Sequence, residues 1–360
     1  MSAVGALKGF WRRRKVRLTV IWTAAAVIVA GGFFWLSGGY DAWRNDMALD
    51  TVCDGDLAAD RVRALFPDIE LESSDSAQED RTYCYVDAAD EDGTAELTLS
   101  FRPVTDSATV FGPGEWSAPF GGGWTGSFSF DPDSRGNDRE EARASLLLDC
   151  GKQPDDGLMA TVNARLGRGT FEDPAARTRL TAVLTETATA YARRTGCETW
   201  PGKPVKDVGV STTTWDYKPV SAASGTCAGV LDPTAARRWG VRTAVETAAA
   251  PAPIESCTLG GYQAVPLYEF SARYGPFGIR ASRESDYDER GNGDSPSGAY
   301  SLIAECPGGQ STGAYQVRTL PKGDRSRFGA MTLDHKGLRA ALQRFADRSA
   351  ARHGCEKPQA

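Results

Sequence analysis

Cys53-Asp54-Gly55-Asp56-Leu57 returns 174 residues later as Cys227-Ala228-Gly229-Val230-Leu231, and this shared Cys-x-Gly-x-Leu decides how the chain divides. Each copy is followed about 30 residues on by a second cysteine, Cys84 or Cys257. Pro119-Phe120-Gly121 then matches Pro276-Phe277-Gly278. Asp131-Pro132-Asp133-Ser134-Arg135-Gly136-Asn137 matches Asp286-Tyr287-Asp288-Glu289-Arg290-Gly291-Asn292. A third cysteine ends an apolar run in both copies, Leu146-Leu147-Leu148-Asp149-Cys150 and Leu302-Ile303-Ala304-Glu305-Cys306. The fourth lies in Gly196-Cys197-Glu198 and Gly354-Cys355-Glu356. The features keep their order, and most of the drift in offset is one insertion between Cys84 and Pro119. Two tandem homologous domains follow, residues 41–198 and 211–360, with residues 199–210, containing Pro201, Gly202 and Pro204, as the linker.

Each copy reads as α+β. A short helix follows the first motif. Asp232 caps it and Pro233 opens it in the second copy, whereas Val62, Leu65 and Phe66 give it an apolar face in the first. Residues 82–86 read as a strand and residues 90–93 as a turn. Leu97, Leu99 and Phe101 alternate onto one face of a second strand. The runs ending at Cys150 and Cys306 are expected to be buried strands. The last element is the plainest. Asp173 caps a helix opened by Pro174, buried through Leu180, Val183, Leu184 and Tyr191 and stopped at Gly196. The second copy repeats it from Asp334 through Leu338, Leu342 and Phe345 to Gly354. A sheet with at least two helices fits these elements.

Ahead of the repeat, residues 18–40 carry no charge, while Lys8, Arg12, Arg13, Arg14, Lys15 and Arg17 precede them. As a helix such a run reaches about 30 Å, enough to span a bilayer core. The basic cluster keeps residues 1–17 in the cytoplasm and sends residues from 41 onward outside. A cleaved signal peptide is the rival reading. Its apolar core is normally about 7–15 residues with a small-x-small site beyond it. Here Ala24, Ala25 and Ala26 sit mid-run, and Phe33, Phe34, Trp35 and Leu36 fill the outer end. Trp35, Tyr40 and Trp43 suit the outer interface.

Hydrophobic content of 41% with 9% aromatics is globular, not that of a disordered stalk. All eight cysteines follow the uncharged run, which reads as structural disulfides in an oxidising compartment. None is spaced Cys-x-x-Cys, against zinc ribbons and thioredoxin-like chemistry. Eight cysteines allow on the order of a hundred pairings, cut to about three per copy if bridges stay within copies. The repeat favours Cys53–Cys84 and Cys150–Cys197, then Cys227–Cys257 and Cys306–Cys355. Residues 41–200 carry 31 acidic and 15 basic side chains; residues 201–360 carry 16 and 20. Solvation accounts for this, or repulsion of the first half from an anionic surface. Neither half looks like a nucleic-acid binder.

Few motifs carry chemistry. The Asp-x-Asp-x-Arg-Gly-Asn segments resemble a calcium loop, yet position 5 is Arg135 or Arg290 and position 12 is Ala142 or Ser297. They read better as Asx-type turns around Gly136 and Gly291. Gly293-Asp294-Ser295 is followed by Pro296-Ser297, and both histidines, His335 and His353, come later on the final helix. A Ser–His catalytic pair is not expected. No catalytic, metal or cofactor-binding residue is assigned. Residues 112–130 place Trp116, Phe120 and Trp124 among six glycines. Such rings bind glycans or extended peptides, or fill the core from a glycine-bent strand pair.

The repeated Cys-x-Gly-x-Leu, the cysteine about 30 residues on and the cysteine-tied final helix resemble uncharacterised membrane-anchored cell-envelope proteins of actinobacteria. An excess of Arg (32) over Lys (9) suits a GC-rich genome. The resemblance implies a compact α/β sandwich and transfers no catalytic residue. Unlike lipidated relatives, this chain has a full apolar run without a lipobox cysteine at its end. The expectation is a single-pass, outward-facing binding or accessory protein of the cell envelope. Its partners would be the lipid bilayer through the N-terminal helix, and another envelope protein or a cell-wall component. An envelope hydrolase using acidic residues is the alternative, and a structural spacer comes third.

Overall fold

The computed structural model describes Trp22, Met47 and residues 49–360, apart from 68, 79–80, 89–94, 107–113, 115, 131–140, 152–155, 200, 214–215, 285–293, 296 and 321–333. The expected transmembrane run lies outside the described residues except for Trp22, which is helical and exposed. So do the turn at 90–93 and both Asp-x-Asp-x-Arg-Gly-Asn segments. Among the described residues no helix is long and apolar enough to cross a membrane.

The fold is α+β, with two antiparallel sheets and four disulfides. In the first unit, helix α1 (Ala59–Leu65) precedes strands β1 (Leu71–Gln78), β2 (Arg81–Ala88), β3 (Glu96–Pro103), β4 (Ala118–Pro119), β5 (Thr125–Phe130), β6 (Glu141–Asp149) and β7 (Gly157–Arg165), and helix α2 (Pro174–Arg194) closes it. The second unit runs β8 (Lys218–Pro219), α3 (Pro233–Arg238), β9 (Thr243–Glu246), β10 (Ile254–Gly260), β11 (Pro266–Arg273), α4 (Pro276–Glu284), β12 (Tyr300–Glu305), β13 (Thr312–Thr319) and α5 (His335–His353). The first sheet is ordered β1-β2-β3-β7-β6-β5-β4 and the second β12-β13-β11-β10-β9-β8. Five strands correspond in order, β1-β2-β3-β7-β6 against β9-β10-β11-β13-β12. Cys84 pairs across from Leu99 as Cys257 does from Phe270, so the register matches too.

Local chemistry explains the helices. Asp173 accepts a hydrogen bond from the Ala175 amide, and Asp334 from the Gly337 amide. Such caps contribute about 1 kcal/mol each. Gly196 and Gly354 then take left-handed φ of 79° and 69° just past each helix. In the Cys-x-Gly-x-Leu motif Gly55 and Gly229 have φ of 82° and 65°, values a side chain resists, which accounts for the glycine in both copies.

The disulfides join Cys53 to Cys84, Cys150 to Cys197, Cys227 to Cys257 and Cys306 to Cys355. One bridge in each unit ties the turn ahead of the first helix to a core strand. The other ties the chain just past the last helix to the end of a neighbouring strand. Closing loops of this size contributes about 3–4 kcal/mol each on the chain-entropy model.

The matched Pro-Phe-Gly triplets diverge in structure. Pro119 ends β4, and Gly121, Gly122 and Gly123, all with positive φ, fold the chain back into β5. Pro276 instead opens α4, because Ile279-Arg280-Ala281-Ser282-Arg283 can continue a helix where three glycines cannot.

The apolar run of β6 is buried on both faces. Leu146 and Leu148 face the first core with Leu97, Leu99 and Leu184, whereas Leu147 joins Met159 and Val104 in the second unit's cluster. The contact is close. A Cβ on Gly157 would stand 2.2 Å from the Gly309 Cα, so the turn at Gly308–Gln310 lies with its backbone against β6 and β7.

Candidate functional site

The linker is pinned to the first unit. Lys203 donates its amide to the Gly122 carbonyl at 2.8 Å, and its carbonyl accepts the Trp124 indole N–H at 2.8 Å. Gly202 lies on the Trp124 ring, where a Cβ would come within 2.8 Å. Further along, the buried Arg177 donates to the carbonyls of Val208, Phe171 and Glu172. A buried guanidinium satisfied by carbonyls of two segments fixes their separation.

Between the pinned linker and the outer face of α2 runs a groove of about 400 Å³. Its floor is the stripe Arg179, Ala182, Glu186, Ala190 and Arg193, spaced to share one helix face. Pro201, Pro204 and Val205 form the facing wall, Arg61 of α1 closes one side, and Trp124 lies at the base. The groove's threonines turn inward. Thr178, Thr185 and Thr189 each donate to the carbonyl four residues back, which satisfies their hydroxyl protons within the helix.

The charges of the groove are lopsided. Arg61 is bound to Glu186 at 2.9 Å, and Glu186 is the groove's one carboxylate among the described residues. Arg179 and Arg193 are exposed, and neither has a carboxylate partner among the described residues. Two exposed cations therefore flank an alanine- and proline-lined channel, on a half of the chain with 31 acidic and 15 basic side chains. That arrangement can hold an elongated ligand with an apolar body and negative ends.

Of the aromatic residues picked out by sequence, Phe120 and Trp124 are buried and Trp116 is half-buried, with its carbonyl accepting the Thr212 amide. Phe120 packs on Gly126 in the first core, and Trp124 contributes to the groove lining beside Gly202. The sequence reading places Pro201 and Pro204 in the linker and misses the groove's arginines. The signal for them is the small-residue stripe of α2 on the face opposite Leu180 and Leu184, but only the linker's path makes it a channel.

A second polar constellation lies buried under α5. Glu255 of β10 accepts from His353 Nε2 at 2.9 Å, from the Ser349 hydroxyl at 2.7 Å and from Arg352 in a short ion pair. Gln310 meets the other side of the imidazole and donates to the His353 carbonyl, and Tyr274 stacks on the ring at 3.6 Å. Burial alone would push the Glu255 carboxyl up, but the bonds from His353 and Arg352 hold it below the usual range. Burial raises the Tyr274 phenol far above its ordinary value and pushes Tyr315 up to about 12. Glu255, His353 and Tyr274 are almost wholly buried, so a substrate does not reach them, and the cluster is structural.

His335 is placed elsewhere. Its Nδ1 lies 2.7 Å from the Tyr300 hydroxyl, which accepts the Ser295 amide. The Ser295 hydroxyl pairs with that of Ser297 and accepts the Ala299 amide, so Tyr300 stands between serine and imidazole. Among the described residues no group of acidic, histidine or cysteine side chains is placed to hold a metal ion. Compared with known proteins, the chain matches no family model, no curated sequence and no solved structure.

Proposed function

We propose that this chain is a membrane-anchored binding or accessory protein of the cell envelope, its N-terminal run in the bilayer and both disulfide-bonded units outside. The observation that carries the binding role is the groove between α2 and the pinned linker, with exposed arginines at its ends. Four disulfides favour an oxidising compartment, and the likeness to actinobacterial envelope proteins points the same way. A hydrolase using paired carboxylates needs two acids across a cleft. Among the described residues the groove has one carboxylate, Glu186, and Arg61 engages it, which favours binding over hydrolysis.

The test is photo-cross-linking in intact cells with a photoreactive residue in place of Ala190, alongside protease treatment from outside. A discrete adduct that disappears when Ala182→Trp fills the groove, with the C-terminus open to external protease, is the expected result. Adduct formation indifferent to Ala182→Trp, or a C-terminus shielded from protease, would sink the reading.

A further inference from the structure

The geometry points to the ligand class of that groove: we propose that it binds an extended peptide segment of about six residues, acidic at both ends and apolar between. This rests on the binding reading above and adds the chemistry of the occupant. Arg179 and Arg193 are 14 positions apart on one helix, so their backbone positions are about 21 Å apart along its axis at 1.5 Å per residue. An extended chain covers that span in about six residues at roughly 3.3 Å each.

The space between the cations decides against a polyanion. A polymer with a charge at every unit is matched by a row of cations, as phosphate backbones are. Here the interval holds Ala182, Ala190 and the rings of Pro201 and Pro204, and Arg61, the one further cation among the described lining residues, is already neutralised by Glu186. Apolar side chains are the partners that gain from such a surface.

The facing wall also limits how a peptide is held. Pro201 and Pro204 have no amide N–H, so the linker cannot offer a continuous strand edge. Recognition then comes from side-chain burial along the channel and from carboxylate–guanidinium pairs at its ends. Bidentate arginine–carboxylate geometry gives those ends their selectivity for acids over amides.

The experiment is fluorescence polarisation on the full chain in detergent micelles. The probe is a labelled hexapeptide mixture, Asp-x-x-x-x-Glu with x drawn from alanine, valine, leucine and proline. Its Asn/Gln-ended counterpart and polyphosphate serve as comparisons. The acidic mixture is expected to bind at least tenfold more tightly than the amide-ended one and to lose at least tenfold in the Arg179→Ala, Arg193→Ala double variant. Both positions are exposed, so thermal unfolding of that variant should match the parent, which separates lost recognition from lost fold. Equal binding of acidic and amide-ended peptides overturns the acidic ends. If Ala182→Trp still abolishes that equal binding, the groove stands as the site and only the ligand class falls. Polyphosphate binding more tightly than the peptides, or peptide binding indifferent to the arginine variants, overturns the proposal. So does no binding by either peptide mixture, and the cross-linking result then decides separately whether the groove binds anything.

Discussion

Under α2 the first unit stacks Tyr191 on Phe101, ring centroids 4.4 Å apart, with the Tyr191 hydroxyl 3.2 Å from that of Thr82. Under α5 the second unit has Ser349, Ala272 and Glu255 in the matching places. Thr82 and Glu255 each stand two residues before the strand cysteine and pair across from Phe101 and Ala272. Tyr191 and Ser349 each stand six before the helix-end cysteine. One fold thus closes the same space with two neutral rings or with a carboxylate, an imidazole and a guanidinium. The charged version sits where the second unit meets the first. Gln310, which binds His353, belongs to the turn that presses its backbone onto β6. A stack of rings fills volume from any direction, whereas a hydrogen-bonded charge cluster fixes where its partners stand. The caps and bridges are common to both units, while the side chains they enclose follow the neighbour each unit has to meet.

The comparison can be broken most directly at its centre. Glu255→Ala leaves Arg352 and His353 buried without their carboxylate and should cost about 3–5 kcal/mol. Thr82→Ala should cost about 1 kcal/mol, the worth of one neutral hydrogen bond. Denaturant unfolding, with hydrogen exchange read separately on β10 and β2, checks this; equal losses would mean that the network is not special. Next come the bridges. Their loops close 47 and 49 residues, so removing Cys150–Cys197 or Cys306–Cys355 by paired serine substitutions should lower stability equally, by about 3–4 kcal/mol. Unequal midpoints would show that the two units do not share one architecture of constraint.

Acid should separate the units in sign. Glu255 and Glu246 are held below the usual carboxylate range. For Glu246 burial works the other way, but Lys218 at 2.6 Å and the amides of Ser224, Gly225 and Cys227 prevail. A lowered folded-state pKa stabilises above the unfolded value, about 4.3, and that contribution is lost as pH falls through the folded value. Asp87 in the first unit is shifted upward, by burial first and then by Glu96 and Glu72. Keeping it ionised therefore costs stability above its folded pKa, and the cost is relieved on acidification. Between pH 6 and pH 3, exchange protection should fall in β10 and β9 before it falls in β2; the reverse order would contradict the assignment. The smallest effect belongs to the groove. Glu186→Gln breaks a half-exposed pair with Arg61 and should change stability by less than about 1 kcal/mol. A larger loss by thermal unfolding would mark that pair as structural.

Much of this was readable in one dimension because it depends on residues near one another in the chain. Asp173 and Pro174 start a helix, and Gly196 stops it, by geometry confined to a turn. The order of the cysteines limits which can meet once two copies are recognised. Leu97, Leu99 and Phe101 alternate because a strand buries every second residue. What stayed hidden depends on distant neighbours. Leu147 looks like any member of an apolar run until the second unit covers the outer face of β6. Leu71–Gln78 is a strand although its residues are polar, since pairing with β2 supplies the backbone bonds and its side chains mostly face solvent. Trp124 was conspicuous, but only the path of residues 201–205 joined it and an ordinary helix face into a channel. Patterned local chemistry determined the elements and their bridges. The meeting of segments that local patterns do not connect decided which polar groups became a core and which arginines line the groove, because burial and charge pairing are properties of the assembled surface.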